Sequence, residues 1–273
     1  MKGLTETAEN ILQKNADRFK GFADVYDSAR PKMPTYPVKI IKRYLGRTPE
    51  TVVDFGCGTG LSTLVWRGNC KNAIGVEQSD DMLFEAQKKA GGGLSFVKAF
   101  SDNTTLESNI ADVVVCSQSF HWMEPASTLN EVSRILKDGG VFATVDCDWP
   151  PVCVPKAEKA YMELYKKVKR LEKELPDVNK SFVRYPKDKH LENIKNSGHF
   201  YYCRELLFSN SEEFDANRFI GVILSQGSLQ TVLRLHPELI FDDIEKFKKE
   251  VFDIFGEAHF EADFCYRMRI GVK

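Results

Sequence analysis

The sequence predicts an α/β protein with a doubly wound, mostly parallel sheet of seven strands and helical cap insertions. Between about residues 50 and 147, short apolar runs rich in β-branched residues alternate with helix-like segments. Such runs are typical of strands that helices cover on both faces, and the short connections indicate parallel pairing. Two further strand-like runs come late in the chain and complete the seven.

Each predicted strand is a short run of mostly Val, Ile, Leu, Phe and Ala. The first five are TVVDF (51–55), NAIGVE (72–77), LSFVK (94–98), ADVVVC (111–116) and GGVFATVD (139–146). The last two are FYYCRELLF (200–208) and CYRMRIGV (265–272). They are bounded by residues that favour turns, as expected of strands.

Helices are predicted where apolar residues recur on one helical face. SDDMLFEAQKKA (79–90) opens with a serine cap and is followed by a glycine, while 126–137 and 157–175 carry apolar stripes. Further helical segments are predicted within 212–255. Helices therefore precede and follow the sixth strand, where they could cap the ends of the strands.

Composition restricts the class of protein. The 273 residues carry 38 Lys+Arg and 39 Asp+Glu, a formal net charge of −1, which argues against a protein that wraps nucleic acid. No apolar run reaches the ~18–20 residues that span a bilayer, and the N-terminus has no apolar signal region. Seven cysteines without a CxxC pair favour a reduced, cytoplasmic protein. We expect a monomer or dimer that has no membrane partner.

The strongest chemical signal is the glycine-rich turn DFGCGTG (54–60), which lies between a predicted strand and a helix. Glycines let a ligand approach the backbone, and the helix that follows offers free N–H donors. A dinucleotide fingerprint needs a third glycine where Leu61 stands, so an NAD site is the second choice. No Gly-Lys-Ser/Thr follows, which excludes a phosphate-binding P-loop.

An acid follows on the neighbouring strand. Glu77 ends the second predicted strand, 17 residues after Gly60. In a doubly wound sheet its carboxylate lies beside the glycine turn, where it can accept hydrogen bonds from both ribose hydroxyls. A solvated acid at a helix start is the alternative interpretation, and the paired spacing favours the ribose role.

Together, DFGCGTG, GVEQS (75–79) and DVVVCSQSFHW (112–122) resemble the class I S-adenosylmethionine-dependent methyltransferases. The His-Trp pair and YDSARPKMPTYP (26–37) resemble the small-molecule branch that includes trans-aconitate methyltransferase-like proteins. The resemblance covers about residues 20–147. It implies the Rossmann-like methyltransferase fold, with a cofactor-binding core and N-terminal helical cover in 1–149. Residues 150–273 would then hold the cap insertions and the last two strands.

The resemblance also implies which residues bind S-adenosylmethionine. Glycines of the turn would line its methionine and ribose, Glu77 would hold the ribose, and residues after the second and third strands would flank the adenine. Where the family usually carries an acid for the adenine amino group, this chain has Ala99 and Phe100, whose backbone groups could serve instead. The full set is Tyr26, Arg30, Asp54, Gly56, Gly58, Thr59, Gly60, Glu77, Gln78, Met82, Ala99, Phe100, Ser117 and Gln118.

His121 is the candidate catalytic base, because it follows the fourth strand at the ligand edge and imidazole titrates near neutrality. The competing interpretation is that it only shapes the wall of a pocket. Methyl transfer is an in-line displacement in which alignment matters more than any single catalytic side chain. The candidate substrate-binding residues are Trp122, Trp149, Arg184 and Tyr185.

No metal site is predicted. Asp146 and Asp148 form a D-x-D pattern, but the fourth strand ends in Cys116-Ser117-Gln118 and supplies no partner carboxylate for an oxygen-rich cation site.

The leading hypothesis for function is a methyltransferase for a small-molecule acceptor. The alternatives are an RNA methyltransferase that uses the basic segment 156–195, with twelve Lys+Arg against seven Asp+Glu, a non-catalytic cofactor-binding protein, or an NAD oxidoreductase.

Overall fold

Seven strands form a single sheet in the described part of the chain, residues 29–273 of this computed structural model. The strands are β1 (Thr51–Phe55), β2 (Asn72–Glu77), β3 (Leu94–Lys98), β4 (Ala111–Ser117), β5 (Leu136–Cys147), β6 (Tyr202–Phe214) and β7 (Phe260–Val272). Their order is β3-β2-β1-β4-β5-β7-β6. The first five pair in parallel, and β7 runs antiparallel between β5 and β6. The predicted fold class is therefore confirmed.

Ten α-helices lie in the same described residues. They are α1 (Thr35–Leu45), α2 (Leu61–Leu64), α3 (Asp80–Gln87), α4 (Pro125–Ile135), α5 (Pro155–Glu174), α6 (Pro176–Asn179), α7 (His190–Asn196), α8 (Ala216–Leu224), α9 (Gly227–Leu235) and α10 (Phe241–Phe255). None of these helices is long and apolar enough to cross a membrane.

The late strands are longer than the sequence predicted. β6 continues through SNSEEF to Phe214, and β7 begins at Phe260, five residues before the predicted start. β6 is the edge strand, and its side chains alternate between exposed and partly buried positions. A polar alternating segment of this kind lacks the apolar run by which the earlier strands were recognised. The helix predicted over 126–137 ends at Ile135, because β5 starts at once with Leu136.

Both faces of the central strands are buried. Along β4, Val113 and Val115 belong to one apolar cluster, while Val114 and Cys116 belong to the other. Side chains alternate across a strand, so the two clusters lie on opposite faces of the sheet. The first contains buried side chains of α1, α5, α8, α9 and α10, and the second those of α4 and α7. This double cover explains why the early strands are continuously apolar.

Two sets of helices are inserted on either side of β6. Helices α5 to α7 lie between β5 and β6, and α8 to α10 lie between β6 and β7. The long helix α5 packs against α9 and α10. These insertions and the loop after β5 follow the carboxyl end of the parallel strands, which is the edge where α/β sheets bind ligands.

A buried carboxylate ties the opposite edge together. Asp112 in β4 is fully buried and accepts hydrogen bonds from the Glu50 and Thr51 backbone N–H groups at 2.6 and 2.9 Å. It also pairs with Arg47 at 2.7 Å and Lys137 at 3.0 Å. Burial opposes its ionisation, but these donors outweigh burial and hold the pKa of Asp112 well below its ordinary value.

We expect Asp112→Asn to lower the free energy of unfolding by about 2–3 kcal/mol at pH 7, because charged hydrogen bonds are lost. A carboxyl with a lowered pKa in the folded state stabilises the protein above its ordinary pKa and stops doing so as the pH falls. The difference between the two proteins should therefore narrow below about pH 4. Urea unfolding at pH 7 and below pH 4 measures this difference in the free energy of unfolding between the wild type and Asp112→Asn. The exposed Asp138→Asn is the control. Equal stability at pH 7 would contradict the anchoring role.

Candidate active site

The carboxyl ends of β1 and β4 form the centre of the site. β1 and β4 are adjacent strands at the point where the strand order reverses: β2 and β3 lie on the far side of β1, and β5 lies on the far side of β4. Loops after such strands turn in opposite directions and leave a crevice between them. The glycine loop, residues 56–60, follows β1, and residues 118–122 follow β4. Predicted site residues from both segments therefore lie at one edge of the sheet.

The glycines of the loop have different roles: one permits close packing against a second loop, and another leaves open space beside the backbone. Gly56, Gly58 and Gly60 have φ values of 64°, 56° and 87°, a region that side chains disfavour. A Cβ on Gly56 would lie 2.7 Å from the Cβ of Ser119, so glycine permits the close approach of the two loops. A Cβ on Gly58 would meet no atom within 4 Å. Gly58 therefore leaves its backbone open to a ligand.

Asp54 orders the loop from beneath. Its buried Oδ2 accepts hydrogen bonds from the Ser62 hydroxyl at 2.6 Å and the Thr63 hydroxyl at 2.7 Å, both in α2. Its Oδ1 is buried and has no hydrogen-bond partner within residues 29–273. Burial raises the pKa of Asp54 to about 6, against the two hydroxyl donors. Asp54 thus holds the start of α2, which directly follows the glycine loop, and its Oδ1 keeps no partner among the described residues.

Glu77 links β2 to the glycine loop. Its Oε2 accepts a hydrogen bond from the Gly58 N–H at 2.9 Å, and its Oε1 accepts from the Gln78 and Ser79 N–H groups at 2.9 and 2.8 Å. Burial raises the pKa of Glu77, and these three donors oppose that shift. A carboxylate offers about four lone-pair positions, so Oε2 keeps one for a ligand hydroxyl.

The other predicted cofactor residues follow the same strand ends. Gln78 and buried Met82 come after β2, while Ala99 and Phe100 come after β3, where the Ala99 N–H donates to the Glu77 carbonyl at 3.3 Å. Thr59 is buried within the glycine loop. Tyr26 lies outside the described residues.

A small cavity of about 30 Å³ lies between the loops after β1 and β4. Its lining includes Gly56, Thr59 and Ser117. Arg30 and Gln118 line it as well, and both also line a much larger cavity. The two cavities therefore adjoin at the side chains of Arg30 and Gln118.

The larger cavity, of about 590 Å³, is called the acceptor cavity after the role proposed for it below. All four residues predicted to bind substrate line it, and so does His121. The aromatic lining residues are Trp122, Trp149, Tyr165 and Tyr185, and the cationic ones are Arg30, Arg184 and Lys187. Its volume falls in the range of about 300–1,000 Å³ that is usual for small-molecule sites.

Two guanidinium groups in this cavity lie over tryptophan rings. Arg30 lies 5.0 Å from the centroid of the Trp149 ring and donates to the Ser225 carbonyl at 3.1 Å. Arg184 lies 5.9 Å from the Trp122 ring and donates to Glu172 at 2.5 Å. Such cation–π contacts hold both tryptophans in place as walls.

His121 is buried against a carboxylate. Its Nδ1 lies 3.6 Å from Oδ1 of Asp146, beyond hydrogen-bond distance, and has no hydrogen-bond partner within residues 29–273. Burial and the nearby Lys187 ammonium lower the pKa of His121 to about 3. The ring is therefore neutral at pH 7 and a weak proton acceptor, which favours the wall interpretation over the base.

Asp146 is surrounded by basic side chains from three separate segments. Its Oδ2 accepts from Arg269 of β7 at 2.8 Å and lies 3.1 Å from Nδ1 of His190, while Oδ1 lies 3.2 Å from Nζ of Lys187. Although burial opposes ionisation, these neighbours hold the pKa of Asp146 well below its ordinary value. Asp148 pairs with Arg267 at 3.0 Å. The D-x-D acids are thus engaged by cationic residues.

No group of three or more His, Cys, Asp or Glu side chains in residues 29–273 is placed to hold a metal ion.

Sequence reasoning missed Lys187, His190 and Arg269. Arg269 is 123 residues from Asp146 along the chain, and only the pairing of β7 with β5 brings them together. Lys187 stands in a Lys-rich stretch, where nothing local separates it from solvated lysines. A buried acid at the end of β5 was the one available signal, because such an acid requires a partner.

Comparison with known proteins shows what the central part of the chain resembles. Residues 53–144 match the family described as methyltransferase domain. A probable S-adenosylmethionine-dependent methyltransferase of Saccharomyces cerevisiae is 31% identical over 124 residues, which are 43% of this chain and 43% of that protein. An uncharacterised methyltransferase of Mycobacterium tuberculosis is also 31% identical over 124 residues, 45% of this chain and 49% of that protein. The chain thus spans less than half the length of both relatives.

A solved structure extends the likeness to the whole fold. It is that of a protein named as a candidate type II methyltransferase of Anaeromyxobacter dehalogenans, with a TM-score of 0.68 and 18% identity over 89% of this chain and 97% of that one. Residues 53–144 are accordingly similar to a methyltransferase domain, and the relatives that match this part of the chain include a probable S-adenosylmethionine-dependent methyltransferase. The glycine loop and Glu77 lie within these residues.

Asp54→Asn tests the electrostatics of the loop. A carboxyl with a raised pKa is favoured in the folded state below its ordinary pKa, and this advantage is lost as the pH rises through the folded-state value. With that value about 6, the stability of the wild type relative to Asp54→Asn should fall by about 2–3 kcal/mol between pH 4 and pH 7. Urea unfolding at both pH values measures it, with the exposed Asp81→Asn as the control. A constant difference would mean that Asp54 ionises normally.

Proposed function

We propose that this protein is an S-adenosylmethionine-dependent methyltransferase whose acceptor is a small molecule bound in the acceptor cavity. The observation that carries the proposal is that Arg30 and Gln118 line both cavities. A methyl donor held by the glycine loop and a methyl acceptor held in the larger cavity would then meet beside these two side chains. Direct displacement requires such a junction, because the reacting atoms must approach within about 3–3.5 Å in line.

The residues around the glycine loop suit the cofactor. Gly58 presents open backbone, Oδ1 of Asp54 and Nε2 of Gln118 are buried without hydrogen-bond partners in the described chain, and Glu77 keeps a lone pair. An amino group, a carboxylate and ribose hydroxyls are the complementary groups. We infer that Asp54, Glu77 and Gln118 hold the cofactor by hydrogen bonds, and that the Arg30 guanidinium, which lines the small cavity, binds its carboxylate.

The protein's own contribution to the reaction is alignment and exclusion of water. When bound, S-adenosylmethionine supplies a methyl group already activated by the positive sulfonium. The tryptophans and Tyr185 restrict the acceptor, and the cations over the tryptophans keep those walls rigid. Positioning alone accounts for about 7–11 kcal/mol of barrier lowering in favourable cases.

We propose that His121 acts as a neutral wall of the acceptor cavity. A general base works best with a pKa near the working pH, and the pKa of His121 is about 3. An acceptor that is already ionised, such as a carboxylate, would need no base, and the cationic lining of the cavity suits one. A base role for His121 is the alternative that the variant below tests.

Seven of the twelve cations in the basic segment 156–195 have acids of the protein as partners, which argues against an RNA-binding role. These pairs are Lys159 with Glu163, Lys167 with Asp243, Lys169 and Arg184 with Glu172, Arg170 with Glu174, Lys187 with Asp146, and Lys189 with Glu192. Non-specific RNA binding depends on cations that are free to neutralise phosphates. This pairing supports the small-molecule acceptor.

The proposal is tested by methyl transfer from labelled S-adenosylmethionine to a panel of carboxylic acids, phenols and amines, with total RNA as a parallel sample. We expect product with at least one small acceptor and none with RNA. Label in RNA alone would replace the proposal with the RNA alternative. Cofactor binding without transfer to any sample would favour the non-catalytic alternative.

Gly58→Val tests the cofactor site. The added side chain would fill the open space beside the Glu77 contact, and we expect binding of S-adenosylhomocysteine to weaken by at least about 100-fold, roughly the 3 kcal/mol of an overpacked site. Gly68→Val is the matched control, because Gly68 also has a positive φ of 74° and no atom within 4 Å of its Cβ. Titration calorimetry measures both. Equal weakening in the two variants would place the ligand elsewhere.

His121→Asn separates wall from base. As a wall, the residue should change kcat by less than about tenfold, whereas loss of a general base typically costs about 10²–10⁴-fold. The rate of the wild type should also show no inflection from His121 between pH 5 and pH 8, since its pKa is about 3. The pH dependence of kcat with an acceptor from the panel measures both. A 100-fold loss together with an inflection abolished in the variant would establish the base.

A further inference from the structure

Lys187 connects an inserted segment to the ends of two strands. It begins the short 3-10 helix Lys187–Lys189, which closes the stretch named here the crossing segment, residues 182–189. Its Nζ donates to Oε1 of Gln118 at 3.1 Å and lies 3.2 Å from Oδ1 of Asp146. Gln118 directly follows β4 and Asp146 lies in β5. One ammonium group therefore joins three parts of the chain.

The Lys187 ammonium also fixes the orientation of the Gln118 side-chain amide. Lysine has hydrogen-bond donors only, so the amide atom that faces it must be the carbonyl oxygen. Nε2 of Gln118 then points elsewhere, and it is buried without a hydrogen-bond partner within residues 29–273. A buried amide N–H₂ group without a partner destabilises the folded protein. Because Gln118 lines both cavities, a bound ligand with a hydrogen-bond acceptor would satisfy it.

The crossing segment forms one wall of the acceptor cavity. Residues 184–187 all line that cavity. The Tyr185 N–H donates to the His121 carbonyl at 2.8 Å, and Phe182 meets the Trp122 ring edge-on with centroids 5.9 Å apart. The wall is therefore in place only while the segment is docked on residues 118–122 and on β5.

We propose that Lys187 is a positioning residue that holds the crossing segment against β4 and β5 and fixes the Gln118 amide with its N–H donors available to the bound methyl donor. The role of the Gln118 amide rests on the proposed function, because it assumes that the methyl donor lies beside Gln118. Lys187 acts on the donor only through Gln118. Loss of Lys187 leaves Asp146 paired with Arg269 and His190, so variants at this position should still fold.

Hydrogen exchange of the ligand-free protein tests the docking. In Lys187→Met we expect the amides of residues 182–189, including that of Tyr185, to exchange at least about tenfold faster, since local opening becomes easier. Lys187→Arg should restore protection, because a guanidinium also has donors only. Lys189→Met is the control, since Lys189 is in the same turn and pairs with the exposed Glu192 rather than with β4 or β5. Unchanged exchange in both Lys187→Met and Lys187→Gln would overturn the docking role.

A double-mutant cycle on S-adenosylhomocysteine affinity tests the amide. We expect Lys187→Met and Gln118→Met each to weaken binding by about five- to tenfold, and the double variant to be no weaker than the worse single variant, because both changes remove one coupled interaction. Losses that multiply, or affinity that neither substitution changes, would overturn the positioning of Gln118. If the wild type binds no S-adenosylhomocysteine, the proposed function fails, and the exchange experiment still decides the docking role.

Discussion

The site depends on the close approach of the chain after β1 to the chain after β4. The Ser119 hydroxyl donates to the Phe55 carbonyl at 2.6 Å, and Gly56 leaves no room for a side chain between the two loops. Glycine loop and cavity wall are thereby fixed to each other within a few ångströms. This contact fixes the position of the glycine loop relative to Gln118, His121 and Trp122, which line the acceptor cavity. Alignment of that kind is the main requirement of a displacement reaction.

Electrostatics fixes the rest of the acceptor cavity. A carboxylate as deeply buried as that of Asp146 is tolerated only when cations and hydrogen-bond donors surround it. Arg269 from β7, His190 from α7 and Lys187 from the crossing segment meet that demand. The late strands and the inserted helices are thus tied to β5 at the edge where ligands bind. Burial, assisted by the Lys187 ammonium, lowers the pKa of His121 and keeps its ring neutral beside Asp146.

The sequence was most informative where interactions are local. The first three strands match the predicted bounds, because strands covered on both faces are continuously apolar and are bounded by turns. The glycine loop and Glu77 were recognisable for a similar reason, since backbone access and an acid at a strand end require particular residues at fixed spacing. Their contact at 2.9 Å follows from the pairing of β1 with β2.

What the sequence could not predict are interactions between distant segments. The Lys187, His190 and Arg269 contacts with Asp146 join residues 41 to 123 positions apart, and no local pattern distinguishes these side chains from solvated ones. The polar half of β6 was missed because an edge strand has no need to be apolar. Likewise, Trp122, Trp149, Arg184 and Tyr185 were individually plausible, but only the fold brings all four to one cavity.

The two cavities draw on different halves of the polypeptide. The glycine loop, Glu77 and Gln118 lie within residues 53–144, the part that matches the methyltransferase domain family, whereas most of the acceptor cavity is lined by residues from Cys147 onward. Under the proposed function, substitutions in the later half would change which acceptor is bound and leave the donor half intact. An exchange of residues 148–235 with another protein of this fold would move most of that cavity's lining as a unit and keep the glycine loop in place.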